Sequence, residues 1–184
     1  MVMKYLVNIV VLVCLIGFLG GCTQNSAVSE LNRSVLNEAS LNGQMLYDAY
    51  KKQQEGIKHD AIAVAKAAIS DFCSQLSYKP IVVDSPEGVI VYFIGESENP
   101  KDIVLGRHYK VIGEKVIVST KTCHILSVPN LPPGAQTVAA TTSHLLSDYP
   151  TEFHVYASLR YNKEIYVATA SGHWHVNGNK ISKL

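Results

Sequence analysis

The chain has 184 residues, of which 47% are hydrophobic and 17% are charged, and its formal net charge is +1 at pH 7. A balance this close to neutral, without a cluster of lysines and arginines, argues against a nucleic-acid-binding protein. The length and apolar content instead suit one domain with a substantial core.

The first 21 residues read as an export signal. Residues 1–4 (MVMK) carry one positive charge, and residues 5–19 (YLVNIVVLVCLIGFL) form an apolar run. As a helix this run would be only about 22 Å long, short of the ~30 Å core of a bilayer. A charged start, a short apolar segment and a small-residue exit are typical of a secretory signal peptide. We therefore expect residues 1–21 to be removed; an uncleaved membrane anchor is the alternative.

The exit of this signal, Leu19-Gly20-Gly21-Cys22, resembles the lipobox of bacterial lipoproteins. The resemblance implies that Cys22 is lipidated and becomes the mature N-terminus. Thr23 follows where lipoproteins retained in the inner membrane of Gram-negative bacteria typically carry Asp. By that similarity we expect an outer-membrane lipoprotein facing the periplasm or the cell surface, or, in a Gram-positive host, the outer face of the plasma membrane. The membrane is then a partner through several acyl chains, because one chain alone binds only marginally.

The mature chain divides into a tether and a domain. Residues 22–44 are polar and rich in asparagine, which predicts a tether that contains a helix over about 29–42. Residues 45–184 carry the apolar patterning of a single α+β domain.

Helical periodicity is strongest between Met45 and Leu76. Gly56 leaves open either one long helix or a break, and Pro80 predicts the end of the helical segment. The apolar residues that recur at spacings of three and four are Ile57, Ala61, Ala65, Ala68, Phe72 and Leu76.

Two cysteines remain for the domain once Cys14 leaves with the signal and Cys22 takes lipid. In an oxidising compartment Cys73 and Cys123 read as one disulfide, which would close a loop of about 50 residues and stabilise the fold by about 4 kcal/mol. Two separate buried thiols are the alternative.

Strand-like segments dominate after Pro80. Residues 88–95, 102–113 and 114–128 are rich in Val, Ile and Tyr and are interrupted by glycine. Residues 135–147 predict a short helix, and residues 151–184 a second set of strands that begins with EFHVYASL. The fold class is therefore α+β, with an N-terminal helix or helices followed by antiparallel β-hairpins or meanders.

The two strand sets resemble each other. Residues 108–116 (HYKVIGEKV) align with 173–181 (HWHVNGNKI) at four identities in nine positions. This similarity proposes a tandem duplication of a helix-plus-three-or-four-strand unit, over residues 57–125 and 134–184. Asn177-Gly178 is a strong hairpin signal, and Ile112-Gly113 occupies the equivalent place.

Alternation along these hairpins separates two faces. Trp174 and Val176 fall on one side of their strand, and His173 and His175 on the other. In the first unit the matching apolar side has Tyr109 and Val111, and the matching polar side has His108 and Lys110. Two histidines at this spacing supply two metal ligands, whereas a zinc site needs three or four. We therefore assign no metal site and expect no cofactor.

A face rich in tyrosine and histidine is the candidate binding surface. Tyrosine suits protein recognition because it buries a large area at low entropic cost and keeps a polar handle. Cross-strand pairing that merely stabilises the sheet is the alternative for any single tyrosine. The residues assigned to this face are His154, Tyr156, Tyr161, Tyr166, His173 and His175.

No catalytic motif is present in the sequence. It contains no Gly-x-Ser-x-Gly elbow, no phosphate-binding glycine loop and no His-Glu-x-x-His. We therefore expect a non-catalytic, membrane-anchored module that binds a protein partner, as an envelope assembly factor or as an inhibitor or immunity-type protein. A lipoprotein that binds a small ligand or a metal through the same face is the alternative.

Overall fold

The computed structural model describes residues 29–52, 59–86, 88–128 and 132–184. Within these ranges the chain has three helices and ten strands and an α+β architecture, as the sequence predicted. The chain separates into two units, Met1–Asn37 and Glu38–Leu184, and all ten strands belong to the second. None of the helices in the described ranges has the length and apolarity needed to cross a membrane.

The helices are α1 (29–52), α2 (His59–Ala67) and α3 (Glu152–Tyr161). The strands are β1 (Ser77–Ser85), β2 (Gly88–Glu96), β3 (Ile103–Val104), β4 (Tyr109–Ile112), β5 (Lys115–Val118), β6 (Ile125–Leu126), β7 (Ala139–Ser143), β8 (Glu164–Thr169), β9 (Gly172–Asn177) and β10 (Lys180–Lys183).

These strands form two four-stranded sheets and one small pair. Sheet 1 has the order β1-β2-β4-β5 and is antiparallel throughout. Sheet 2 has the order β10-β9-β8-β7, and β7 runs parallel to β8 with α3 as the crossover between them. The short strands β3 and β6 pair with each other.

Sheet 1 is buried on both faces. Because side chains alternate along a strand, Val91 and Phe93 of β2 point to one side, where Ala65 of α2 packs, and Tyr92 and Ile94 point to the other. That other side is covered by residues of α1 and α3, including Leu46, Phe153 and Tyr156. Because both faces are covered, His108 and Lys110 are buried, although the sequence places them on a polar side of this segment. Tyr109 and Val111 are also buried, as their apolar side predicts.

Helix α1 extends through the segment predicted as a tether. Ala39, Gly43 and Leu46 recur at helical spacing and are buried. At Gly43 a Cβ atom would overlap the side chain of Val155, so glycine lets α1 approach α3 closely. These buried residues belong to the second compact unit, which starts at Glu38.

The helical segment predicted up to Pro80 ends earlier. Helix α2 stops at Ala67, and β1 starts at Ser77 and includes Pro80. Proline is tolerated there because β1 is an edge strand, where an N–H that points away from the sheet is not needed. Gly56 and Ile57, on which the choice between one helix and two rested, lie outside the described residues.

Two predicted elements of the second half are exchanged in the structure. Residues 135–147, predicted as a helix, contain strand β7, and EFHVYASL, predicted as a strand, lies within helix α3. The apparent alternation in that segment misleads because α3 packs against both sheets, so that its residues from Phe153 to Ser158 are all buried.

The disulfide between Cys73 and Cys123 is present, as predicted, with the two Cα atoms 6.0 Å apart. It joins the segment that follows α2 to the loop between β5 and β6. Arg107 ties together the same two segments, because its guanidinium donates to the carbonyl oxygens of Asp71 at 2.6 Å and Lys121 at 3.2 Å.

Both predicted hairpins are present, with their turns one residue later than Asn177-Gly178 and Ile112-Gly113 indicate. Gly178-Asn179 and Gly113-Glu114 are the turn residues, and each glycine has φ near +57°. A glycine with positive φ at the first turn position fits a type II′ turn. The two halves therefore agree at their hairpins. They differ elsewhere, since the dipeptide Val-Tyr, which occurs in both proposed units, lies on a strand at 91–92 and on a helix at 155–156.

Candidate functional site

The two faces of sheet 2 differ sharply. Its inner face packs against α3 and is buried, with Ile165 and Val167 on β8 and Trp174 and Val176 on β9. In the described part of the chain, its outer face stays accessible to solvent. We call this surface the outer face; its side chains are Thr141 and Ser143 on β7, Glu164, Tyr166 and Ala168 on β8, His173, His175 and Asn177 on β9, and Lys180 and Ser182 on β10.

A stacked pair lies at the centre of the outer face. Tyr166 and His175 are cross-strand partners, and their rings lie 5.0 Å apart at an angle of 22°. Glu164 orients Tyr166, since it accepts a hydrogen bond from the phenol hydroxyl at 3.0 Å, and its Oε2 lies 3.2 Å from His175 Nε2. The bond to this carboxylate raises the pKa of the Tyr166 phenol above its ordinary value, so Tyr166 stays neutral. The pair presents a fixed aromatic surface with polar edges.

Polar groups of both signs surround the stacked pair. His173 is exposed next to it on β9, and Lys180 is exposed on the edge strand β10. Glu164 supplies a negative charge on the same face. An aromatic centre with polar groups around it resembles the arrangement of protein interfaces, in which aromatic residues are enriched at the core and polar residues form the rim.

Half of the predicted Tyr/His surface is therefore assembled, and half is not. Tyr166, His173 and His175 share the outer face, as the alternation on β8 and β9 predicts. His154 and Tyr156 do not, because they lie on α3, where they are 3% and 1% exposed. The prediction that they belong to this surface is wrong, since the segment that carries them is a helix behind the sheet and not a strand within it.

Tyr156 and Tyr161 instead hold α3 in place. The Tyr161 hydroxyl accepts a hydrogen bond from the backbone N–H of Val104 at 3.0 Å. Tyr156 accepts one from Arg160 at 2.9 Å, and Arg160 also pairs with Glu96 at 3.0 Å. Burial raises the pKa of both phenols, which stay neutral hydrogen-bonding groups. This cluster connects α3 to β2 and β3 and lies apart from the outer face.

A second polar cluster lies buried between sheet 1 and α3. Lys110 of β4 and Glu152 of α3 form an ion pair, with 3.0 Å between Nζ and Oε1. His108, which immediately precedes β4, accepts a hydrogen bond from the Gly95 N–H through Nδ1 and faces the carbonyl oxygen of Val104 through Nε2. Burial lowers the pKa of His108 to about 4, so the ring is neutral at pH 7. The alternation of polar and apolar residues could not predict this cluster, because it assigns His108 and Lys110 to a solvent-exposed side of this segment.

Metal binding receives no support from the described residues. No group of three or more His, Cys, Asp or Glu side chains among them is arranged to hold a metal ion. His144 and His154 do meet, with ring centroids 4.9 Å apart, while His173 and His175 lie on the outer face of sheet 2.

Comparisons with protein-family models, with curated proteins and with solved structures each returned no match. Arguments about function therefore depend on the residues of this chain.

Proposed function

We propose that the protein is a membrane-anchored lipoprotein of the bacterial cell envelope that acts as a non-catalytic protein-binding module through the outer face of sheet 2. Its lipid is carried by Cys22, and its partner is a protein of the envelope, which it helps to assemble or whose activity it blocks. The anchor is argued from the signal sequence, and the binding surface from the fold.

The observation that supports the binding surface most is the unequal covering of the two sheets. Sheet 1 is covered by helices on both faces, whereas sheet 2 is covered by α3 on one face only in the described part of the chain. The accessible face has an oriented aromatic pair, Tyr166 and His175, at its centre. Rigid aromatic residues near the middle of an interface contribute a large share of binding energy, because they lose little side-chain entropy on binding.

The lipid and the disulfide support the envelope location. Acyl chains on Cys22 would attach the mature chain at its N-terminus, ahead of the compact unit that carries the outer face. The disulfide between Cys73 and Cys123 suits an oxidising compartment outside the cytoplasm.

Co-purification followed by titration tests the proposal. The full chain, tagged after Leu184, is expressed in its host and isolated in detergent, and bound proteins are identified by mass spectrometry. The identified partner is then purified and titrated against the wild type and against the variant Tyr166→Ala/His173→Ala/His175→Ala. We expect the variant to bind about 100-fold more weakly, a loss typical of removing a hot spot.

A matched control lies in the β4–β5 turn, where Glu114 and Lys115 are exposed on sheet 1. The variant Glu114→Ala/Lys115→Ala should bind the partner as the wild type does. If the triple variant retains wild-type affinity, or if the control loses affinity equally, the outer face is not the binding surface.

A further inference from the structure

His144, the residue that follows β7, has an imidazole ring that is buried without a hydrogen-bond partner among the described residues. Its side chain is 2% exposed, and among the described residues neither ring nitrogen has a partner. Its ring stands edge-on to that of His154, with centroids 4.9 Å apart at 81°. A buried imidazole in this state is tolerated only while neutral, because a charged ring would lack both water and hydrogen bonds.

His154 caps the start of α3 and can do so only when neutral. Its Nδ1 accepts a hydrogen bond from the Thr151 N–H at 3.0 Å and lies 3.2 Å from the Thr151 hydroxyl. Thr151 is the N-cap and His154 the third helical residue, the place that Glu or Gln takes in a capping box. A proton on Nδ1 would turn the acceptor into a donor and break the contact with the Thr151 N–H. It would also place a positive charge at the helix N-terminus, where the dipole disfavours it.

Residues 144–151 form a strap that joins β7 to α3. The carbonyl oxygen of Asp148 accepts hydrogen bonds from the hydroxyls of Thr169, at 2.8 Å, and Ser171. The Tyr149 ring stands 5.5 Å from that of Trp174, which is the chain's single tryptophan. The strap is thus fastened at its ends by His144 and Thr151 and at its middle by the β8–β9 turn.

Among the described residues, the charges that act on the two histidines include one carboxylate, that of Glu152. Glu152 of α3 is near His144 but is already paired with Lys110 of β4. His108, which precedes β4, and His124, which precedes β6, also act electrostatically on His154 and lower its pKa. Burial, with His144 as the next contribution, lowers the pKa of His154 to about 3, and burial lowers that of His144.

We propose that residues 144–151 are an acid-released strap, docked while His144 and His154 are neutral and released when the two rings are protonated. Each protonation removes a condition of docking: a proton on His154 breaks the helix cap, and a proton on His144 places a charge in a buried site beside a second cation. Release frees the first turn of α3 and the contact of Tyr149 with Trp174, while sheet 1 stays folded.

Hydrogen exchange of the full chain in detergent, between pH 7.5 and 5 and corrected for intrinsic exchange rates, tests the proposal. The reporting amides are those of His144, which donates to the Ala168 carbonyl, and of His154 and Val155 in the first turn of α3. Below pH 6.5 their protection should fall by up to about 100-fold per pH unit, because opening takes up two protons. At each pH the amides of β1 and β2 should keep a higher protection than the strap amides, because they open only in global unfolding, and the emission of Trp174 should shift to the red over the same range.

Two variants assign the effect to the two rings. His154→Gln keeps a capping side chain that does not titrate, and His144→Leu fills the buried site without a titratable group. Each should reduce the pH dependence of the reporting amides to about tenfold per unit, and the double variant should abolish it. His173→Gln, on the exposed outer face, is the matched control and should behave as the wild type.

Three results would overturn the proposal. The first is a protection of the β1 and β2 amides that equals that of the strap amides at each pH, which would mean that the strap opens only when the whole fold unfolds. The second is a wild-type pH dependence of the reporting amides in both His154→Gln and His144→Leu. If one of these variants does not fold, the other alone decides this point. The third is a loss of the pH dependence of the reporting amides in His108→Gln, because that result would assign the effect to His108.

Discussion

Lys110 on β4 and Glu152 on α3 form an ion pair of 3.0 Å that joins sheet 1 to the helix behind sheet 2. Both side chains are largely withdrawn from water, at 10% and 14% exposure. The cost of removing two charges from water offsets most of their attraction, so the pair adds little net stability. Its main effect is to orient the two elements that carry it. It fixes where α3 begins, relative to sheet 1.

Removing one partner of this pair should cost far more stability than removing both. Lys110→Met leaves the Glu152 carboxylate buried without a counter-ion, and we expect the free energy of unfolding to fall by about 3 kcal/mol. Lys110→Met/Glu152→Leu should recover most of that loss. Urea unfolding of the three proteins, followed by circular dichroism, measures the difference. A double variant as unstable as the single one would contradict this account.

Reduction of the disulfide should destabilise the fold without altering its native contacts. Cys73 and Cys123 close a loop with a sequence separation of 50, so their bond constrains the unfolded chain. We expect Cys73→Ser/Cys123→Ser to lose about 4 kcal/mol of unfolding free energy. Urea unfolding with and without reductant measures this loss. The wild type in reductant should match the variant, and an equal stability of oxidised and reduced wild type would refute the prediction.

Stability should decrease on acidification because His108 is buried and neutral. Its pKa is lowered to about 4 by burial, whereas an unfolded chain has a histidine pKa of about 6.5. The unfolded state therefore binds the proton first. The contribution of His108 is complete above pH 6.5, and it is lost as the pH falls from 6.5 towards 4, at up to about 1.4 kcal/mol per pH unit.

Urea unfolding at pH 7 and pH 5 measures this slope. His108→Gln should have a shallower slope than the wild type, although it is less stable at pH 7 because the ring also packs against Phe153. The exposed His173→Gln should keep the wild-type slope. A wild-type slope in His108→Gln would show that His108 does not contribute to it.

Cys22 should carry the lipid that holds the protein at the membrane. Cells expressing the full chain and fed labelled palmitate should incorporate label into the protein, and Cys22→Ala should abolish the incorporation. The mature wild type should lack residues 1–21. Cys123→Ser keeps Cys22 and is the matched control. Equal labelling of the wild type and Cys22→Ala would exclude the lipobox interpretation.

The sequence allowed the elements with simple periodicity to be predicted. Strands β8 and β9 alternate between a buried and an accessible face, so the pattern of residues alone separates Trp174 and Val176 from His173 and His175. The disulfide could be predicted because two cysteines remain for the domain, and the hairpins because a glycine marks each turn.

Helix α3 could not be predicted from alternation, because it is buried on nearly all sides. Period 3.6 becomes visible only when one side of a helix meets water, and here Phe153, His154 and Val155 are all buried. The terminal signals were present: Thr151 at the N-cap after Pro150, Arg160 in the last turn, and Asn162 in the left-handed conformation at the C-cap. These terminal signals, given priority over alternation, predict the helix.

The central claim is that a protein partner binds the outer face of sheet 2. Photo-crosslinking in living host cells tests it most directly, with benzoyl-phenylalanine placed in the full chain at position 166, 173 or 114. We predict that positions 166 and 173 form an adduct with the same protein, and that position 114, exposed in the β4–β5 turn, forms none. Adducts of equal yield from all three positions, or none from 166 and 173, would contradict the claim.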